Sequence, residues 1–195
     1  MRPIPKYDVS HVLLHPDTYE VQAVAFNKDR LEWTVLDESI KRDVERLRDT
    51  HRGDLLISGH DDANQTWMIR FTVDNGPVPF YAYDRKQQSA TLLFEHQPAW
   101  SMYTLARMEP VSFPSRDGLT VHGYLTLPPG EAHTSLPMVL NVHGGPWHRD
   151  SWGYHPEAQL FAASARLATN DYRAADRRFF ASHRPLERSQ KWWRA

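Results

Sequence analysis

Leu136-Pro137-Met138-Val139-Leu140-Asn141-Val142-His143-Gly144-Gly145-Pro146-Trp147 is the stretch on which the reading of this chain turns. Residues 136–142 form a near-continuous apolar run, the pattern of a strand buried on both faces. The run passes straight into His-Gly-Gly-Pro. A glycine pair there lets main-chain N–H groups come close to a ligand, because no Cβ intervenes. The same four residues also suit a plain turn after a strand, and the tetrapeptide alone leaves both readings open.

Working outward, Val111–Ser115 reads as a strand, Arg116-Asp117-Gly118 as a hairpin turn of the Asp-Gly kind, and Leu119–Leu127 as the partner strand. Pro128-Pro129-Gly130 ends it. Downstream, residues 156–167 suit a helix, with Pro156 in its first turn. Pro98–Met108 is irregular and reads as a linker. Upstream of it, four short strands follow in close order at Asp54–Ser58, Thr66–Val73, Val78–Tyr83 and Ala90–Phe94, separated by turn residues. Four strands in about 40 residues match one β-propeller blade and equally a plain antiparallel meander. Ser39–Asp49 has helical spacing, with Ile40, Val44 and Leu47 on one face and Asp37 or Ser39 as cap. Tyr19–Phe26 and Leu31–Leu36 read as a strand and its return.

Several of these segments carry a resemblance. They are Pro110-Val111-Ser112-Phe113, Arg116-Asp117-Gly118-Leu119, His122-Gly123-Tyr124-Leu125-Thr126-Leu127-Pro128, His143-Gly144-Gly145-Pro146-Trp147 and Arg149-Asp150-Ser151-Trp152-Gly153-Tyr154. Together they resemble the start of the catalytic domain of the prolyl oligopeptidase family of serine peptidases, nearest its acylaminoacyl-peptidase-like bacterial branch. Tyr19–Phe26, Glu32–Asp37 and Tyr81–Arg85 resemble the closing blades of that family's N-terminal β-propeller. The resemblance spans roughly Asp17 to Leu160 and is strongest from Met108 to Tyr154.

The resemblance implies a mixed fold: antiparallel β-propeller blades followed by the N-terminal strands of an α/β-hydrolase domain. Residues 1–107 are then a partial propeller of about one and a half blades, with an inserted helix near 39–50. Residues 108–162 are the start of the hydrolase domain, and 163–195 an atypical basic tail. The implied activity is hydrolysis of peptide bonds in short peptides through an acyl-enzyme, with a peptide as substrate and no cofactor. His143, Gly144, Gly145 and Pro146 are the oxyanion-loop candidates: the glycines shape the loop and His143 braces it. A fixed N–H aimed at a developing oxyanion lowers the barrier by about 3 kcal/mol.

The family's nucleophile stands in a Gly-x-Ser-x-Gly elbow, with Asp and His following in the chain. This sequence has no such elbow: Ser151 has Gly153 after it but Arg149 before it, and Ser164 is flanked by alanines. No catalytic residue is therefore assigned, and the chain by itself is expected to be inactive. Two other classes remain open. One is a non-catalytic interaction protein on the same scaffold, associating through exposed strand edges. The other is a small esterase using an unorthodox serine such as Ser151.

Composition narrows the rest. Among 195 residues there is no Cys, which excludes disulfides, thiolate metal sites and a Cys nucleophile. The 11 His show no HExxH spacing, so no metal is expected. No apolar run reaches the ~20 residues of a membrane span, and no apolar leader follows Met1; a cytoplasmic protein is expected. The net charge of −1 gives no pull toward nucleic acid or an anionic membrane. That balance is a cancellation, since residues 163–195 carry +5 and the remainder −6. After Gly153 there is no Gly, Val, Ile or Met. A frame-shifted or disordered end, a charged helix, and an Arg- and aromatic-rich nucleic-acid-binding tail all fit this composition.

Overall fold

The computed structural model describes residues 7–116, 118–130, 136–144, 148–164 and 167–171. Three antiparallel or mixed sheets follow one another along the chain. The first joins β1 (Val9–Leu14), β2 (Val21–Asn27) and β3 (Leu31–Val35) as an antiparallel ribbon. A short 3-10 turn at Glu38–Ile40 leads into α1 (Lys41–Arg48). The second sheet is an antiparallel meander of β4 (Asp54–His60), β5 (Thr66–Thr72), β6 (Val78–Asp84) and β7 (Ser89–His96). A 3-10 segment at Pro98–Met102 then leads to the third sheet, built from β8 (Met108–Pro114), β9 (Thr120–Thr126), β10 (Met138–Val142) and β11 (Leu167–Asp171). α2 (Pro156–Ala163) lies between β10 and β11.

The main core lies between the first two sheets and α1. Ile40, Val44 and Leu47 are fully buried against Trp33, Leu55, Trp67, Ile69, Phe71 and Tyr83. Each such side chain contributes roughly 1.5–3 kcal/mol on leaving water. The helical stripe read from the sequence is the face that does this. Asp37 caps the entering turn, accepting from Ser39 N at 2.9 Å and from Gln22 Nε2 at 2.8 Å. Those hydrogen bonds hold its carboxyl below the ordinary aspartate range, the Gln22 bond most.

Asp43 also faces this core, only 4% exposed, where it accepts from Tyr83 Oη at 3.0 Å and from Arg85 Nε at 2.9 Å. A carboxylate on the buried side of α1 is tolerated because both of its oxygens are satisfied. Burial first, and then this carboxylate, push the Tyr83 hydroxyl above its ordinary range.

The four strands expected between 54 and 94 all form, in order, in one sheet. β1 is a strand the sequence reading missed. Only Leu13 of its six residues is buried, so no apolar alternation announces it.

Two further expectations are corrected. Residues 136–142 were expected to be a strand buried on both faces. β10 instead forms the edge of its sheet, with Met138, Leu140 and Val142 about 60% exposed. Its apolar content is real, but no described element covers that face. The second concerns the helix expected over residues 156–167: α2 ends at Ala163, and Leu167–Asp171 is a strand. Residues 172–195, most of the basic tail, lie outside the described residues. β11 is inserted between β10, to which it is parallel, and β9, to which it is antiparallel. Leu-Ala-Thr-Asn-Asp is a poor strand sequence, and pairing on both edges overrides its propensity.

Candidate functional site

β10, α2 and β11 make a parallel crossover unit, so the carboxyl ends of β10 and β11 lie at one end of the sheet. In open parallel sheets that end is where ligands bind. Two candidate residues sit there. His143 follows β10 directly, half-buried, with Nδ1 2.7 Å from the carbonyl oxygen of Gly144. A carbonyl can only accept, so Nδ1 carries a proton, which in the neutral ring leaves the lone pair on Nε2. The imidazole thus ties down the loop's own backbone. Its ring meets His148 edge to face at 5.7 Å.

Gly144 is exposed, and among the described residues a Cβ built there meets nothing within 4 Å. Packing by those residues does not demand glycine at this position. Open space beside a glycine backbone is what a ligand approaching the main chain needs. Gly145 and Pro146 lie outside the described residues.

The amino end of α2 returns to the same edge. Asn141 Nδ2 donates to Glu157 Oε2 at 2.8 Å, joining the penultimate residue of β10 to the first turn of α2. His155 caps that helix, its Nδ1 accepting from Ala158 N at 3.3 Å. Sequence reading passed over Asn141 and Glu157, and nothing in their spacing marks them as partners. Among the described residues, no group of three His, Asp or Glu side chains is placed to hold a metal ion.

The serines have other uses. Ser151 Oγ accepts from Asn27 Nδ2 at 2.9 Å, a contact between the end of β2 and the loop that follows β10. Ser112 Oγ lies 2.8 Å from His122 Nδ1. These two are direct partners across β8 and β9, and both are solvent-accessible. A serine beside an imidazole is one part of a nucleophilic constellation. Here the register of two adjacent strands accounts for the contact.

A second constellation fixes how this sheet meets the rest. Arg149 donates to the carbonyl oxygens of Asn27 and Lys28 in the β2–β3 turn, at 2.7 and 2.5 Å. Tyr124 Oη donates to the Asp29 carbonyl at 2.8 Å, and burial pushes this phenol up to about 12. Arg30 stacks its guanidinium 3.5 Å over the Trp152 ring, and the Trp152 indole N–H donates to Met108 O at 2.8 Å. From the β5–β6 turn, Asp74 accepts from Met108 N at 2.7 Å and from Arg52 at 2.8 Å. Gln159 of α2 bonds the main chain of Asp74 and of Ala106. The segment 149–154, noticed in the sequence only as a resemblance, is thus a structural clasp.

No family model matches the chain. It is 38% identical over 154 residues to dipeptidyl aminopeptidase BIII of Pseudoxanthomonas mexicana, a match covering 75% of this chain and 22% of that protein. The chain belongs to the prolyl oligopeptidase family. The fold agrees with that of solved members. Porphyromonas gingivalis dipeptidyl peptidase 4 superposes with a TM-score of 0.62 at 10% identity, over 86% of this chain and 24% of that one. The acylaminoacyl peptidase of Pyrococcus horikoshii superposes with a TM-score of 0.55 at 17% identity, over 85% and 25%. This prolyl oligopeptidase-family chain therefore spans about a fifth to a quarter of the length of its relatives. No helix among the described residues is long and apolar enough to cross a membrane.

Proposed function

We propose that residues 1–107 are part of a β-propeller, that 108–162 open an α/β-hydrolase domain, and that together they form the junction region of a cytoplasmic serine peptidase acting on short peptides. The cytoplasmic assignment is compatible with a chain lacking cysteine. The observation that carries the peptidase reading is the glycine loop at the carboxyl end of parallel strand β10, beside the amino end of α2. In that role His143 holds the loop through the Gly144 carbonyl, Gly144 and Gly145 offer backbone N–H groups to an oxyanion, and Pro146, which has no N–H, serves only to shape the loop. The sequence contains no Gly-x-Ser-x-Gly elbow, so this chain alone turns over no peptide. Purified protein is expected to leave dipeptidyl and acyl-aminoacyl p-nitroanilides uncleaved and to take no label from a fluorophosphonate. Turnover abolished by that reagent, with one serine labelled, overturns the inactivity claim.

A second reading, a non-catalytic interaction protein, draws on exposed apolar edges. Leu92, Leu93 and Phe94 on β7 and Met138, Leu140 and Val142 on β10 are all about half exposed or more. Edge strands carrying such side chains are prone to pair with another chain. Sedimentation is expected to show association that grows with concentration, and a monomer at every concentration rejects this reading.

A further inference from the structure

An open cleft of about 510 Å³ lies where α1 returns to the sheets, away from the loop at residues 143–144. β3 forms one wall with Leu31, Glu32 and Trp33; the end of α1 and the connector to β4 supply Arg48, His51 and Arg52. Its lining carries two arginines and two carboxylates, and ion pairing leaves one arginine over. Glu32 is ion-paired with Lys28, and Asp54, at the start of β4, with Arg30 at 2.7 Å. Arg52 is paired with Asp74. Arg48 is exposed, donates one N–H to the Trp33 carbonyl at 2.6 Å and has no carboxylate partner among the described residues.

His51 adds a directed donor. Its Nδ1 accepts from the Gly53 amide at 3.0 Å, which places the proton of the neutral ring on Nε2. Burial, and then the neighbouring Arg52, hold its pKa below the ordinary imidazole value. The ring is fixed against Phe71 at 5.1 Å between centroids. The cleft therefore joins an arginine fork without an acid, a second half-exposed arginine and an imidazole N–H. Its two carboxylates are already neutralised. Planar guanidinium forks match the oxygens of carboxylates and phosphates.

We propose that this cleft binds a small oxyanion, a carboxylate or a phosphate, with Arg48 as the principal anchor and with Arg52 and His51 Nε2–H as supporting donors. This site is independent of the peptidase reading, because none of its residues belongs to the third sheet.

Backbone amide and indole shifts of the full chain test it. The probes are inorganic phosphate, acetyl-Ala-Ala with a free carboxylate and its carboxamide, all titrated against a constant background of chloride. Saturable shifts are expected at Gly53 and at the Trp33 indole. Arg48→Met is expected to weaken binding by about tenfold or more. Arg48→Lys, which keeps the charge and loses the fork, falls between. Arg42→Met removes an exposed cation of the same helix that does not line the cleft and leaves affinity unchanged. Response to phosphate alone identifies a phosphate ligand; response to the free peptide but not its amide identifies a carboxylate. Failure of both probes to saturate overturns the proposal. Equal loss in Arg42→Met and Arg48→Met also overturns it, because it reduces the effect to general charge.

Discussion

Gly53→Ala is expected to cost the protein about 3 kcal/mol or more and to leave much of it insoluble. A Cβ built on Gly53 stands 2.4 Å from the carbonyl oxygen of Thr72 and 2.9 Å from the Phe71 Cβ. Neither can yield cheaply. The first is the backbone of β5, and Phe71 is fully buried in the main core. Inserting a methyl into a packed site without moving room typically costs 1–3 kcal/mol, and a clash with main chain lies at the upper end. The same carbon would lie 3.1 Å from His51 Nδ1, crowding the Gly53 N–H bond to that ring. Urea unfolding followed by tryptophan emission measures the loss. A midpoint unchanged within error would mean that the connector can move away from β5, contrary to the packing described.

The second large effect concerns the contact between the second and third sheets. Asp74→Ala is expected to lower stability by about 2–3 kcal/mol. The Asp74 side chain is 2% exposed and serves the Met108 amide and the Arg52 guanidinium at once. Truncation strands a buried N–H, which costs about 1–3 kcal/mol. Arg52 adds less, because its side chain is 44% exposed and water replaces the lost carboxylate. Asp74→Asn keeps one acceptor and is expected to lose about 1 kcal/mol, so the two variants rank Ala below Asn below wild type. For a chain of this size about 1 kcal/mol shifts Tm by roughly 2–4 °C, within reach of calorimetry. Gln159→Ala, combined with Asp74→Ala, should cost less than the sum of the two, since Gln159 bonds the Asp74 main chain in the same network. Strict additivity, or a Tm unmoved by Asp74→Ala, would show that the turn and α2 are not one unit.

Much of the architecture was legible because its causes are local. The strands β4–β7 are divided by turn chemistry, as at Gly59–Asp62 and Asp74–Pro77, and the four appear in their expected order. The buried face of α1 followed from the spacing of Ile40, Val44 and Leu47. The glycine loop after β10 was legible as a motif, and with its neighbours it carried the family resemblance. The pairing of Asn141 with Glu157 was not legible, because it depends on α2 folding back over the end of β10.

By itself the sequence determined where most of the strands and α1 form and which family the chain belongs to, because periodicity, turn residues and short motifs act over a few positions. Three things were decided only by tertiary structure. β10 became an exposed edge although its residues read as core. Leu167–Asp171 became a strand against its own propensity. Ser151 and Arg149 became parts of a clasp on the β2–β3 turn. Each outcome depends on what stands beside the residue in space, and the Ser151 and Arg149 contacts join residues more than 120 positions apart. Local sequence carries no information at that range. The end of β2 and its turn supply the Asn27 and Lys28 carbonyls and the Asn27 amide, the loop after β10 supplies Arg149 and Ser151, and only packing brings the two together.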